Sequence, residues 1–310
     1  MAHLLFVFLD GVGLGPDDDA TNPLAGAWPG LETLAGRRWT EAGWGGPDPP
    51  GLVARALETG LGYPGVPQSA TGQTSLLTGH NAAAAMRGHY GPWPGPTLRA
   101  LLDAGTIFDD GVAAGGATLA NVYPPGYFVA LRGRTLRRSA PVHAAVAAGL
   151  PLASAPDYER GEAVSADLDG AFMRGVRRPG PVDAAGLATF DRGAVADQAE
   201  RLARLAARRP FTFFDVWLTD QVGHRADLAI ARALLARLDA FLAALVDTLG
   251  ADVTLLVTSD HGNLEDARTP RHSRAPVPLL ARGPCAAAFA HASSLLDVAG
   301  AVRSVLGRRA

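Results

Sequence analysis

The chain reads as an α/β protein, a mostly parallel sheet sandwiched by helices, with a small inserted cap subdomain. Short apolar runs recur and lead into acidic residues, as in Leu4–Leu9 before Asp10 and Val253–Thr258 before Asp260. A long stretch of helical periodicity separates two of these runs, and the middle of the chain loses both signals. Continuous apolar runs suit strands buried on both faces, as parallel strands are. Strand, helix, strand succession implies a sheet covered on both sides.

Leu4–Leu9 is the first such run, bounded by Asp10-Gly11. Pro- and Gly-rich loops follow, and Thr71–Thr78 then reads as a helix that begins near Ser69 and stops at Gly79. Phe211–Leu218 and Val253–Thr258 are further buried strands. Between them Leu228–Leu249 is helical, with Leu234, Leu238, Phe241 and Leu245 on one face. Val277–Ala281 is a last strand and Ser294–Leu306 a closing helix. From about Gly88 to Arg192 the text turns rich in Gly, Pro, Ala and Arg, with candidate helices at Thr97–Ala104 and Ala140–Ala148 and a candidate strand at Ala117–Val122. The division expected is a discontinuous core, 1–87 and 193–310, and an inserted cap, 88–192, over the sheet rim.

Length and composition fit this plan. A chain of 310 residues suits one large domain or a core with a smaller cap. Hydrophobic content of 48% and charged content of 19% describe an ordinary globular protein. All 28 basic residues are Arg, so any phosphate clamp must use guanidinium groups. A net charge of -2 offers no footprint for nucleic acid. The lone Cys285 excludes an internal disulfide, and the opening apolar run is too short to span a bilayer. A cytoplasmic protein with no membrane partner is expected.

Chemistry is carried by residues scattered over the chain. Ligands of open α/β sheets bind beyond the carboxyl ends of the strands. Asp10, Asp220 and Asp260 fall at such ends, with His224 and His261 near two of them and His272 before the last strand. Carboxylate and imidazole together are a natural ligand set for Zn²⁺ or Mn²⁺. The spacing of Asp220 and His224 is about one helical turn, so both side chains reach the same point. A helix N-terminus near Ser69 would offer free N–H groups to a phosphate. Ser69 is the favoured nucleophile, an N-cap its plain alternative role, and Thr71 its rival.

The order of these motifs resembles the alkaline phosphatase superfamily, most of all its branch of cofactor-independent phosphoglycerate mutase and phosphopentomutase. The residues that carry the resemblance are Asp10-Gly11, Ser69, Asp220-Gln-Val-Gly-His224, Asp260-His261-Gly262-Asn263 and His272. It covers the two ends of the chain and implies an alkaline-phosphatase-like core. It places the nucleophile ten residues before the Gly that closes the helix, which is Ser69 counted back from Gly79. It further implies two divalent metal ions, Mn²⁺ or Zn²⁺. One would be held by Asp10, Ser69, Asp260 and His261, the other by Asp220, His224 and His272. The chain departs from the mutase in its shorter middle segment and its lack of Lys.

The implied activity is phosphoryl transfer on a small phosphorylated metabolite through a phosphoserine, as a phosphatase or a phosphomutase. Arg132, Arg134, Arg137, Arg138, Arg177 and Arg178 are candidate substrate clamps. His89, His143 and His291 lack metal-site context. Phosphodiester hydrolysis and a non-catalytic metal-binding module are the alternatives. A sulfatase is disfavoured, because Ser69 is not followed by that family's Pro and Arg.

Overall fold

Six strands form one sheet in the computed structural model, which describes residues 3–133, 136–174, 186–187 and 189–307. They are β1 (His3–Leu9), β2 (Leu52–Leu57), β3 (Ala117–Leu119), β4 (Phe211–Val216), β5 (Val253–Thr258) and β6 (Val277–Arg282). Their spatial order is β2-β6-β5-β1-β4-β3. β1 pairs in parallel with β4 on one edge and with β5 on the other, and β3 pairs in parallel with β4. Only β6 runs against its neighbours, β5 and β2.

The apolar runs follow from this position. Leu4 to Leu9 are all fully buried because β1 has a strand on each edge and helices over each face. Leu5, Val7 and Leu9 join one core with Leu202, Leu234, Leu238, Phe241 and Leu245. Leu4, Phe6 and Phe8 join the opposite core with Leu76, Leu77, Phe213 and Val298. Alternate residues thus serve opposite layers. The Leu228–Thr248 helix starts at Asp227, whose carboxylate accepts from the N–H groups of Ala229 and Ile230.

A strand boundary differs from the sequence reading. The expected strand 211–218 stops at Val216, and a short helix, Leu218–Gly223, begins almost at once. Segment 88–192 contributes elements to the main sheet and its packing. Its β3 is an edge strand of the main sheet, and its helices Pro96–Asp103 and Ala140–Ala147 pack on the Ser69–Thr78 helix. Leu102, Phe108, Leu119, Ala140 and Val142 share one buried cluster with Phe211 and Phe213, so hydrophobic burial draws this segment into the core.

Asp10, Asp260 and the Leu218–Gly223 helix follow the carboxyl ends of β1, β5 and β4, neighbouring strands that run in one direction. That shared direction places their side chains at one rim. Among the described residues no helix is long and apolar enough to cross a membrane.

Candidate metal centre

Asp10, Asp260 and His261 form one group whose ligand atoms all lie within 4.8 Å of one another. His261 Nε2 is 3.6 Å from Asp10 Oδ1 and 3.5 Å from Asp260 Oδ2. Both carboxylate oxygens are buried without a hydrogen-bond partner. Buried oxygens left unpaired cost free energy unless a cation or donor meets them. Gly11 makes the turn after β1 at φ +68°, and a Cβ there would lie 2.6 Å from Asp220 Oδ1. Glycine adopts that left-handed backbone at little cost and leaves room for the neighbouring carboxylate.

Asp220, His224 and His272 form a second group within the same limit. Asp220 Oδ2 is 3.2 Å from His224 Nε2, and its Oδ1 is 3.5 Å from His272 Nε2. The two Nε2 atoms are 3.3 Å apart. His224 Nδ1 bonds the Pro270 carbonyl at 2.7 Å, His272 Nδ1 the Pro67 carbonyl at 2.9 Å and His261 Nδ1 the Gly262 carbonyl at 3.3 Å. A carbonyl can only accept, so the proton of each bond sits on Nδ1. In the neutral ring this leaves each Nε2 lone pair directed into the centre, the tautomer a metal requires.

The electrostatics of the cluster point the same way. Burial, then the charges of Asp260 and Asp220, pushes Asp10 well above the usual carboxylate range. Burial, then Asp220, pushes Asp260 up to about 8. Burial, then His272, pushes His261 down to about 3. Burial also lowers His272. For Asp220 burial works upward, but the His224 hydrogen bond, the charge of His261 and the Asn263 amide together hold it down to about 2. The Asp220 hydrogen bond raises His224 to about 9. Three acidic groups thus crowd one rim with a single firmly charged imidazole to balance them. A dication at each group would reverse the shifts of Asp10 and Asp260. Orphaned carboxylate oxygens and mixed oxygen and nitrogen donors fit divalent transition ions.

The reading of Ser69 as an N-cap is corrected. Gln68 occupies the cap, and Ser69 is the first residue of the Ser69–Thr78 helix. Its hydroxyl is free of capping and lies 3.0 Å from His261 Nε2. Thr71 is committed elsewhere. Its hydroxyl donates to the Gln68 carbonyl at 3.0 Å and accepts from the Tyr90 N–H at 3.2 Å, tethering the loop that passes the helix start.

Other partners escaped the sequence reading. The Asn263 amide donates to Asp220 Oδ1 at 2.7 Å, and Gln73 donates to Asp10 Oδ2 at 3.3 Å. Asn263 lies inside the quoted motif, and Gln73 follows Ser69 by one helical turn, so each carried a positional signal. Among the described residues, Arg132, Arg137 and Arg138 make no hydrogen bond or ion pair to either ligand group. Arg132 is exposed. Arg137 and Arg138 line a separate pocket of about 420 Å³ with Pro94, Arg99, Leu131, Leu136 and His143. His143 pairs with Asp103 at 2.8 Å. Arg134, Arg177 and Arg178 lie outside the described residues.

No curated protein matches the chain by sequence. Residues 187–308, which include both histidine-bearing groups' C-terminal ligands, match the model of the metalloenzyme superfamily. Among solved structures, the alkaline phosphatase from the Antarctic bacterium TAB5 aligns over 99% of this chain and 98% of its own, at 12% identity and a TM-score of 0.54. The chain has the alkaline phosphatase fold. A phosphoglycerate mutase from Leishmania mexicana shares this fold over 100% of this chain and 96% of its own, at 12% identity and a TM-score of 0.53. So does a Pyrococcus horikoshii protein, over 100% and 98%, at 14% identity and a TM-score of 0.55. The resemblance carried by the motifs and the likeness of the alkaline phosphatase fold therefore agree.

Proposed function

We propose that the chain is a metal-dependent phosphoryl-transfer enzyme acting on a small phosphate monoester through a phosphoserine at Ser69. The observation that carries this reading is the uncapped Ser69 hydroxyl, 3.0 Å from His261 Nε2, at the edge of two Asp/His groups. Asp10, Asp260, His261 and Ser69 would hold one Mn²⁺ or Zn²⁺, and Asp220, His224 and His272 the other. When bound, the ions supply positive charge that favours an ionised hydroxyl and offsets charge on the transferring oxygens.

The protein's own groups account for the remainder. Ser69 Oγ bonds to phosphorus in line as the ester oxygen departs, so one P–O bond forms while another breaks. The serine hydroxyl loses its proton and the departing alcohol gains one. At the start of the Ser69–Thr78 helix the N–H groups of Ser69 and Ala70 are the ones we assign to the phosphoryl oxygens, since that of Thr71 donates to the Tyr90 carbonyl. Asn263 holds the Asp220 carboxylate in place, and Gln73 does the same for Asp10. An incoming oxygen nucleophile then attacks the phosphoserine and restores Ser69. Water makes the enzyme a phosphatase, and a hydroxyl of the substrate makes it a mutase. The Arg137 and Arg138 pocket is our candidate for the rest of the substrate.

The test is turnover of p-nitrophenyl phosphate by the full chain loaded with Mn²⁺ or Zn²⁺, with mass spectrometry of the quenched protein. Ester cleavage and a phosphate on Ser69 are expected. Cleavage that survives both chelation and Ser69→Ala would overturn the reading.

A further inference from the structure

Three loops that carry candidate ligands converge on one buried carboxylate that belongs to neither ligand group. Glu265 is 2% exposed. Its Oε2 accepts from the Gly13 N–H at 2.9 Å and from the Asn263 N–H at 2.8 Å, and its Oε1 accepts from the Ser273 hydroxyl. These three partners sit on three different ligand loops. Gly13 follows Asp10, Asn263 follows Asp260 and His261, and Ser273 follows His272. Ser273 also donates its N–H to the Gly262 carbonyl at 2.9 Å, so the second and third loops are tied by backbone as well. A Cβ on Gly262 would collide with Glu265 Oε1 and Ser273 Oγ, so the glycine makes room for the knot.

We propose that Glu265 is a positioning residue that locks the two ligand groups into one unit, so that two divalent ions bind as a coupled pair. The inference rests on the two-ion reading of the site given above. Two of its tethered loops serve the Asp10, Asp260 and His261 group, and the third serves the Asp220, His224 and His272 group. A partner that orients first-contact ligands typically changes metal affinity 10- to 100-fold when removed. A buried acceptor for two N–H groups and a hydroxyl also leaves unsatisfied donors when deleted, which loosens all three loops together.

The experiment is chelator competition on the Mn²⁺-loaded full chain, read as ions retained and as affinity, with His224→Ala marking which ion belongs to which group. Glu265→Ala is expected to weaken both ions by about 10- to 100-fold. Glu265→Gln can point its amide oxygen at Gly13 and Asn263 and its NH₂ at Ser273 Oγ, and should return affinity toward the unaltered protein. Ser273→Ala severs one arm only and should weaken the His272 ion selectively. Circular dichroism of each metal-free variant separates a loosened site from an unfolded chain. A folded Glu265→Ala that holds both ions as tightly as the unaltered protein overturns the proposal. Should Glu265→Ala not fold, Ser273→Ala decides, and unchanged affinity for both ions overturns it. If the unaltered chain retains fewer than two Mn²⁺ ions, the reading of the site itself fails and this inference falls with it.

Discussion

His261 and His272 stack with ring centroids 3.8 Å apart and planes inclined by 15°. One ring belongs to each ligand group, so the two groups share a wall and neither can shift alone. His272→Ala should therefore disturb both ions. The expected outcome is loss of the Asp220 and His224 ion and a several-fold weakening of the Asp10 and Asp260 ion, read by metal analysis after dialysis. Unchanged retention at the Asp10, Asp260 and His261 group would show the rings to be mechanically independent.

Ser69 and Thr71 separate cleanly by mutation. Ser69→Ala should abolish the phosphoprotein and lower turnover by about 10³-fold or more, as loss of a nucleophile does. Thr71→Ala removes a tether to Tyr90 and should cost roughly 1–3 kcal/mol of stability through the donor left unpaired. Phosphate on Ser69 should persist in that variant. Mass spectrometry of the trapped protein and urea midpoints together decide the pair.

Metal uptake should be steeply pH-dependent, with a defined sign. His224, raised to about 9, and Asp260, raised to about 8, hold protons at pH 7 in the metal-free protein. Both must lose them to bind a cation, so binding releases protons and affinity rises with pH. The gain should be largest between pH 6 and 8 and should flatten as pH passes through about 9. Calorimetry of Mn²⁺ binding in buffers of different ionisation enthalpy measures the protons released. Binding that strengthens on acidification would contradict these protonation states.

Gly11→Ala tests the turn behind Asp10. The new Cβ would meet Asp220 Oδ1 at 2.6 Å in a left-handed backbone at φ +68°. The backbone alone disfavours alanine by roughly 1–2 kcal/mol. Because the clash falls on Asp220, loss of the Asp220, His224 and His272 ion should accompany the fall in thermal midpoint. A lower midpoint with both ions retained would place the effect in the turn alone.

Arg237 offers a stability test away from the chemistry. The guanidinium is fully buried on the Leu228–Thr248 helix, 3.4 Å from Asp169 and donating to the carbonyls of Asp167 and Leu187. Removing one member of a buried ion pair costs about 3–5 kcal/mol. Arg237→Ala should lower the denaturant midpoint accordingly while leaving metal affinity unchanged in protein that remains folded.

The central strands and the candidate ligands were legible for one reason. A strand buried on both faces is written as an unbroken apolar run, and a functional acid just past its end interrupts that run. β1 and β5 show this, with Asp10 and Asp260 beyond them. β2 was not legible because its run, Leu52–Leu57, holds Arg55, which bonds Asp48 on the sheet edge. β3 was read too long, since only Ala117–Leu119 finds ladder partners on β4. Glu265 left no mark because its role depends on contacts across loops far apart in sequence. The candidate arginine clamps rest on charge alone, and of them Arg137 and Arg138 line a pocket.

The position of β1 between β4 and β5 has a cost during synthesis. β1 is synthesised well before the strands it needs, which lie beyond residue 210 on both edges. At about 5–20 residues per second it waits on the order of 10–40 s with an unpaired, wholly apolar sequence. Nascent chains of this protein should therefore be prone to sticking to one another, or to chaperones, until β4 and β5 have been translated. Slowing translation ahead of residue 211 should lower soluble yield, whereas the same delay after residue 282, when all six strands exist, should not.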